Sequence, residues 1–194
     1  MYHRVLTDEE YSRNFCMGGI SVKTRTFEKQ MKFLADNFRI LSPEEFLPRL
    51  QGRTPFETKS CLITFDDGWK DNFKNALPIL AKNKISALIF LSSGFIDTSR
   101  RFWQDRVIAS LSGLRKRKGD SSIKTEELYP EEEKERINKI IGCNENVFRE
   151  EVSLFINPLK KKKINQIEEL ITLLNQGLEI KNGKKTEESA FFYF

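Results

Sequence analysis

Residues 61–97 read CLITFDDGWKDNFKNALPILAKNKISALIFLSSGFID, and the fold class follows from this stretch. Cys61–Phe65 (CLITF) is a short β-rich apolar run that stops at Asp66-Asp67-Gly68. A helix is expected next, carrying Phe73, Leu77 and Leu80, with Pro78 kinking it. Ile85–Leu91 (ISALIFL) is a second apolar run with the character of a buried strand. Strand, turn, helix and strand within about thirty residues make a βαβ unit, so a parallel sheet is predicted.

Upstream, the pattern is again strand and helix. Met1–Leu6 is a short apolar stretch, followed by a polar loop with Gly18-Gly19. Phe27, Met31, Leu34 and Phe38 recur at the spacing of one helical face. Ser42-Pro43-Glu44-Glu45 is a capping box with proline at the first helical position, and Pro48 limits how far that helix runs. Downstream of Arg100 the texture changes to helix after helix. Trp103, Val107, Leu111 and Leu114 share one face. Pro130 opens a helix containing Ile137, Ile140 and Ile141, and Asn144 caps another with Phe148, Val152 and Phe155 inward. Ile164, Ile167, Ile171 and Leu174 line the last, which Gly177 is expected to end. Ten of the sixteen phenylalanines precede Asp97, in keeping with this division.

Composition narrows the function classes. The chain has 194 residues, 39% hydrophobic and 31% charged, which is globular composition leaning polar. No apolar run approaches the roughly 18–20 residues of a membrane span, and no secretory leader is expected at the MYHRV start. The net charge of +5 is spread evenly: 14 basic against 12 acidic residues in 1–97, and 19 against 16 beyond. Without a basic face, nucleic acid is not an expected partner. The clusters Arg115–Lys118 and Lys160–Lys163 read as solvated helix ends that complement the helix dipole. Cys16, Cys61 and Cys143 stand alone, with no CxxC pair, so neither a zinc ribbon nor a disulfide scaffold is indicated. A single histidine, His3, is present.

The acidic turn carries the chemistry. Asp66 and Asp67 lie where a strand of a parallel sheet ends, and such strand ends are where α/β folds build active sites. Adjacent residues on an extended chain point in opposite directions, so the two carboxylates can hold different roles: one as a cation ligand, one as a base for water. Gly68 permits the tight turn. Asp-Asp-Gly is equally an ordinary turn, since Asp accepts backbone hydrogen bonds and Gly takes positive φ, and the tripeptide alone leaves both readings open. A phosphatase of the haloacid dehalogenase type needs Asp-x-Asp and fails on spacing. A receiver-type magnesium pocket needs a further Asp and a Lys after later strands, where this chain has Ser92-Ser93-Gly94.

Residues 63–97 (ITFDDGWKDNFKNALPILAKNKISALIFLSSGFID) resemble the first motif region of the polysaccharide deacetylases, the NodB-homology family of metal-dependent carbohydrate esterases. MYHRV at the start, TRTFEKQMKFLADNFRILSPEEFL at 24–47 and FWQDRV at 102–107 are similar to a branch of that family with an inserted helical segment. The resemblance covers residues 1 to about 107. It implies an α/β fold, a partial irregular (β/α) barrel, with 1–99 as its first part, 100–180 as the helical insertion and 181–194 as a return segment. It implies hydrolysis of acetyl groups, as amides and possibly esters, on an acetylated polysaccharide. Asp66 would be the general base and Asp67 the ligand of a divalent metal, zinc being the expected ion. Trp69 and His3 would border the sugar.

One departure shapes the expectation. The family's second motif, His-Ser/Thr-x-x-His, supplies two further metal ligands, and no histidine follows His3 in this chain. A catalytic zinc takes three protein ligands, so weak or absent zinc binding is expected. The chain ends on Phe191-Phe192-Tyr193-Phe194, and it reads as the N-terminal part of a deacetylase interrupted before that motif. The alternative reading is a non-catalytic remnant that binds glycan or a partner. An open sheet edge is expected, and with it self-association.

Overall fold

Every strand pairing in the computed structural model is parallel, and no closed sheet forms among the residues it describes, which are 1–13, 19–57, 59–117, 129 and 131–179. Cys16, Gly18, Lys118, Pro130 and the return segment 181–194 lie outside the described residues. The chain divides into two compact units, the first spanning Met1–Ser99 and the second beginning at Arg100.

The first unit alternates short strands with helices. In chain order these are β1 (Arg4–Leu6), α1 (Asp8–Arg13), β2 (Ser21–Lys23), α2 (Thr24–Asn37), β3 (Arg39–Ile40), α3 (Pro43–Leu50), β4 (Ser60–Cys61) and β5 (Ile63–Asp67). A π-helical turn at Asn72–Ala76 runs into α4 (Leu77–Lys82), followed by β6 (Ala87–Leu91). The sheets pair β1 with β2, β3 with β4 and β5 with β6. A bridge at Tyr2 ties the start of the chain to β5: Tyr2 N–H donates to Thr64 O at 2.8 Å and Asp66 N–H donates to Tyr2 O at 2.9 Å.

The first unit's core is Val5, Phe27, Met31, Ile63, Phe65, Ala76, Leu80 and Ile85. Phe27 and Met31 come from the predicted face of α2, and Leu34 packs at its margin. Tyr2 meets Phe27 edge to face at 5.0 Å between centroids, and Phe27 meets Phe65 at 5.9 Å. Such ring pairs add to the stabilisation that comes from area burial alone. The capping box at α3 is formed on both sides, with Ser42 N–H donating to Glu45 Oε2 at 2.9 Å and Glu45 N–H donating to Ser42 Oγ at 3.2 Å. Pro48 sits inside α3, which ends two residues later at Leu50.

Two expectations for this unit are corrected. The helix after the acidic turn does not bury Phe73 and Leu77, which are both exposed; Asp71, Asn72, Ala76 and Leu80 face inward instead. The cause is the π-helical turn, where Leu77 N–H reaches back to Asn72 O and so rotates the buried face. The second correction is β6, which is a strand but not a buried one. Ile89, Phe90 and Leu91 are 42%, 55% and 55% exposed. Among the described residues β6 pairs with β5 alone, so its far edge carries no strand.

The second unit is helical: α5 (Trp103–Lys116), α6 (Glu131–Gly142), α7 (Glu145–Leu159) and α8 (Ile164–Glu179). Val107, Leu111, Leu114, Ile137, Ile140, Phe148, Val152, Phe155, Ile167, Ile171 and Leu174 are all buried, in keeping with the predicted helical faces. Ile164, expected on the last of them, is exposed instead, because it is the first residue of α8. Asn144 caps α7, its side-chain oxygen accepting from Val147 N–H at 3.1 Å. Gly177, expected to end the last helix, lies inside α8. Its role is steric: a Cβ there would stand 2.5 Å from Tyr129 Oη and 3.1 Å from Leu114 Cδ2. The missing side chain lets Tyr129 seat against the helix.

Tyr129 is buried, its hydroxyl has no hydrogen-bond partner among the described residues, and burial pushes its pKa up to about 12. An unsatisfied buried hydroxyl costs about 1–3 kcal/mol. Tyr129→Phe is therefore expected to raise the unfolding free energy by about 1 kcal/mol in urea denaturation at neutral pH. The raised folded value means that the tyrosine's contribution is whole below pH 10.0 and lost as pH rises through about 12. The Phe variant should lack that alkaline loss.

Candidate functional site

The site grows from the carboxyl end of β5. Ile63 and Phe65 point into the core, which leaves Thr64 and Asp66 on the other face of the strand. Asp66 pairs in register with Phe90 and Asp67 with Leu91, so the acidic pair closes the last rungs of the β5–β6 ladder. Asp67 then turns the chain: its φ is +74° and that of Gly68 is +75°. The left-handed conformation is free for glycine and tolerated by aspartate, whose short polar side chain bonds locally. Gly68 is also required by space, since a Cβ would stand 2.5 Å from Leu91 Cδ2.

The two carboxylates take different partners, as alternation along the strand implies. His3 Nε2 stands 3.7 Å from Asp66 Oδ2, and both side chains are partly exposed, at 25% and 30%. Asp67 Oδ2 accepts from the indole Nε1–H of Trp69 at 3.2 Å. Trp69 is only 5% exposed, and the Arg4 guanidinium carbon lies 4.3 Å from its ring centroid. The ring expected to border a sugar is therefore turned inward and spent on holding the turn. Its burial leaves little face for a ligand.

What brings His3 to Asp66 is a clasp that the sequence reading missed. Three polar side chains of the segment after the turn grip the backbone of the first strand. Asn72 Nδ2 donates to His3 O at 2.8 Å, Val5 N–H donates to Asp71 Oδ1 at 2.7 Å, and Asn75 Nδ2 donates to Val5 O at 2.8 Å. Arg4 Nε completes the grip, donating to Asp71 Oδ2 at 2.9 Å with both side chains buried. Asn75 also donates to Glu10 Oε2, whose carboxylate caps the first turn of α1. Burial raises the Asp71 pKa, while Arg4 and the Val5 N–H pull it down. The signal in the sequence was the run Asp71-Asn72-x-x-Asn75, polar residues at helical spacing directly behind an acidic turn.

Among the described residues no group of three or more His, Cys, Asp or Glu is arranged to hold a metal ion. Asp67 offers a carboxylate of which one oxygen is already bonded to an indole N–H, and a catalytic zinc needs three protein ligands. These residues do not fit a catalytic zinc centre. They do place a carboxylate, an imidazole and a second carboxylate at one strand end, an arrangement suited to taking a proton from water.

A family model described as polysaccharide deacetylase matches residues 53–165, more than half of the chain. YxkH of Bacillus subtilis (strain 168), a protein named for the polysaccharide deacetylases, is 43% identical over 74 residues. That stretch is 37% of this chain and 26% of the relative, so the chain aligns with about a quarter of YxkH. Among solved structures, IcaB from Ammonifex degensii is similar at 29% identity and TM-score 0.43, covering 58% of this chain and 47% of the other. The Streptococcus pyogenes deacetylase PplD, solved with acetate, is similar at 19% identity and TM-score 0.40, covering 81% and 78%. A de-N-acetylase from Aggregatibacter actinomycetemcomitans is similar at 20% identity and TM-score 0.43, covering 50% and 37%.

The clasp has a measurable weight. Asp71→Ala strands a buried guanidinium and the Val5 N–H together, and breaking a buried pair from one side costs about 3–5 kcal/mol. Urea denaturation should show a loss of that order. The loss should be smaller in Asp71→Asn, whose amide oxygen still accepts from Val5.

Proposed function

The chain belongs to the polysaccharide deacetylase family, and we propose from that premise that it is built to hydrolyse acetyl groups on a glycan, the amide of an N-acetylated sugar first and an ester second. The observation that carries this reading is the pairing of Asp66 with His3, 3.7 Å apart at the carboxyl end of β5 and both partly open to solvent. In this reading Asp66 accepts a proton from the attacking water as its oxygen bonds to the acetyl carbon. The carbon–nitrogen bond then breaks as the nitrogen takes the proton held on Asp66, and acetate and a sugar amine are the products. His3 lies beside the base and borders the sugar. Trp69 contributes through its grip on Asp67. The first unit, 1–99, is read as the first part of an irregular (β/α) barrel, and 100–180 as a helical segment inserted after it.

Asp67 is the residue that would offer an oxygen to a divalent ion, zinc by family resemblance. One carboxylate is one corner of a tetrahedral shell. A second reading is supported by that shortage: a non-catalytic member that keeps the glycan surface without the hydrolytic centre.

One set of measurements separates the two. Acetate release from an N-acetylated chitooligosaccharide by the full chain is followed with and without added Zn²⁺, beside calorimetric titration of Zn²⁺. Expected are slow release that falls by about a hundredfold or more in Asp66→Asn, and Zn²⁺ affinity weaker than micromolar. Saturable glycan binding with no acetate formed would move the assignment to the binding reading. Sub-micromolar Zn²⁺ affinity lost in Asp67→Ala would overturn the view that the donor set is short.

The apolar edge of β6 supports a further proposal, self-association strand to strand. In size-exclusion chromatography Phe90→Lys is expected to shift any oligomer toward monomer. An unchanged profile would remove β6 as the contact.

A further inference from the structure

Behind the acidic turn lies a stack of side chains that the proposed chemistry leaves unused. The carboxylate of Asp71 holds Arg4 Nε at 2.9 Å and Val5 N–H at 2.7 Å, and all of these groups are buried. The guanidinium so held lies over Trp69, 4.3 Å from the ring centroid, and Trp69 Nε1–H holds Asp67 Oδ2 at 3.2 Å. Asp67 itself keeps a left-handed backbone, φ +74°, a conformation that aspartate tolerates at turns.

We infer that Arg4 is a positioning residue of the acidic turn: pinned by Asp71, it clamps the Trp69 indole, and the indole fixes the direction of the Asp67 carboxylate by one oxygen. Arginine suits this place for a physical reason. Its planar group covers a ring face while Nε keeps a directed bond to Asp71, and a lysine ammonium, a compact point charge, cannot do both. The chain of contacts joins residues 4, 71, 69 and 67, so the strand at the start of the chain sets a carboxylate more than sixty residues away.

The importance of Asp67 rests on the deacetylase reading, but the clamp can be measured without metal or substrate. The full chain has two indole N–H groups, on Trp69 and Trp103, and Trp103→Phe assigns them in a nitrogen–proton correlation spectrum. In Arg4→Lys the Trp69 indole proton is expected to exchange with water about tenfold faster or more, and its signal to move toward that of free indole. Asp67→Asn should move the same signal in the same direction. Retained cooperative melting separates this response from unfolding. If Arg4→Lys does not fold, Asp71→Asn decides by the same signal, since its amide oxygen still accepts from Val5 and only the hold on Arg4 is weakened. An indole signal and exchange rate unchanged in the folded variant, or untouched by Asp67→Asn, would overturn the inference. In acetate release, a fall in kcat with KM unchanged is expected for Arg4→Lys, and an undiminished kcat beside a displaced indole would equally overturn the positioning role. A wild-type chain that releases no acetate defeats the deacetylase reading instead, and the indole measurement still decides the clamp.

Discussion

Asp71 stands 67 residues from Arg4 and 66 from Val5 in the chain, yet its two carboxylate oxygens bind both. A buried carboxylate is costly unless its charge and lone pairs are met, and here a guanidinium and a backbone N–H meet them. Burial still pushes its pKa upward against their pull. This interaction closes the first strand onto the segment that follows β5. Asn72 and Asn75 add hydrogen bonds to the same strand, and the Tyr2 bridge ties the other side to β5. Removing the anchor would leave His3 tied to β5 through the Asn72 bond and the Tyr2 bridge alone.

The consequence for chemistry is a separation of duties between adjacent carboxylates. Asp66 faces His3 in partly exposed surroundings, while Asp67 is held by an indole N–H behind the turn. The chain belongs to the polysaccharide deacetylase family, and among the described residues no group of three or more His, Cys, Asp or Glu is arranged to hold a metal ion.

Much of the architecture was legible from periodicity. The α2 face of Phe27 and Met31, the Ser42–Glu45 capping box, the Asn144 cap and the apolar stripes of the second unit all rest on spacing or on local side chain–backbone bonds, and apart from the exposed Ile164 at the start of α8 they appear as read. Periodicity failed where helix geometry changed or where neighbours were remote. The π-helical turn at Asn72–Ala76 rotated the face that carries Phe73 and Leu77 outward. Gly177 looked like a helix stop and is instead a gap for the Tyr129 ring, a fact that belongs to a partner almost fifty residues earlier. Ile85–Leu91 read as a buried strand because its side chains are apolar, but burial is decided by what covers a strand, and β6 has β5 alone beside it among the described residues.

The sequence by itself determined the βαβ order, the acidic turn at the end of β5 and the family to which the chain belongs, because these rest on runs, spacings and a motif contiguous in the chain. Only the tertiary structure decided which partner each acid would have, that Trp69 would be buried behind Asp67 instead of open to a ligand, and that Arg4 and Asp71 would be joined. Those are contacts across more than sixty residues for all but the Trp69–Asp67 bond. Residue type says what a side chain can bond to; only the packed fold says what lies within reach when water is excluded.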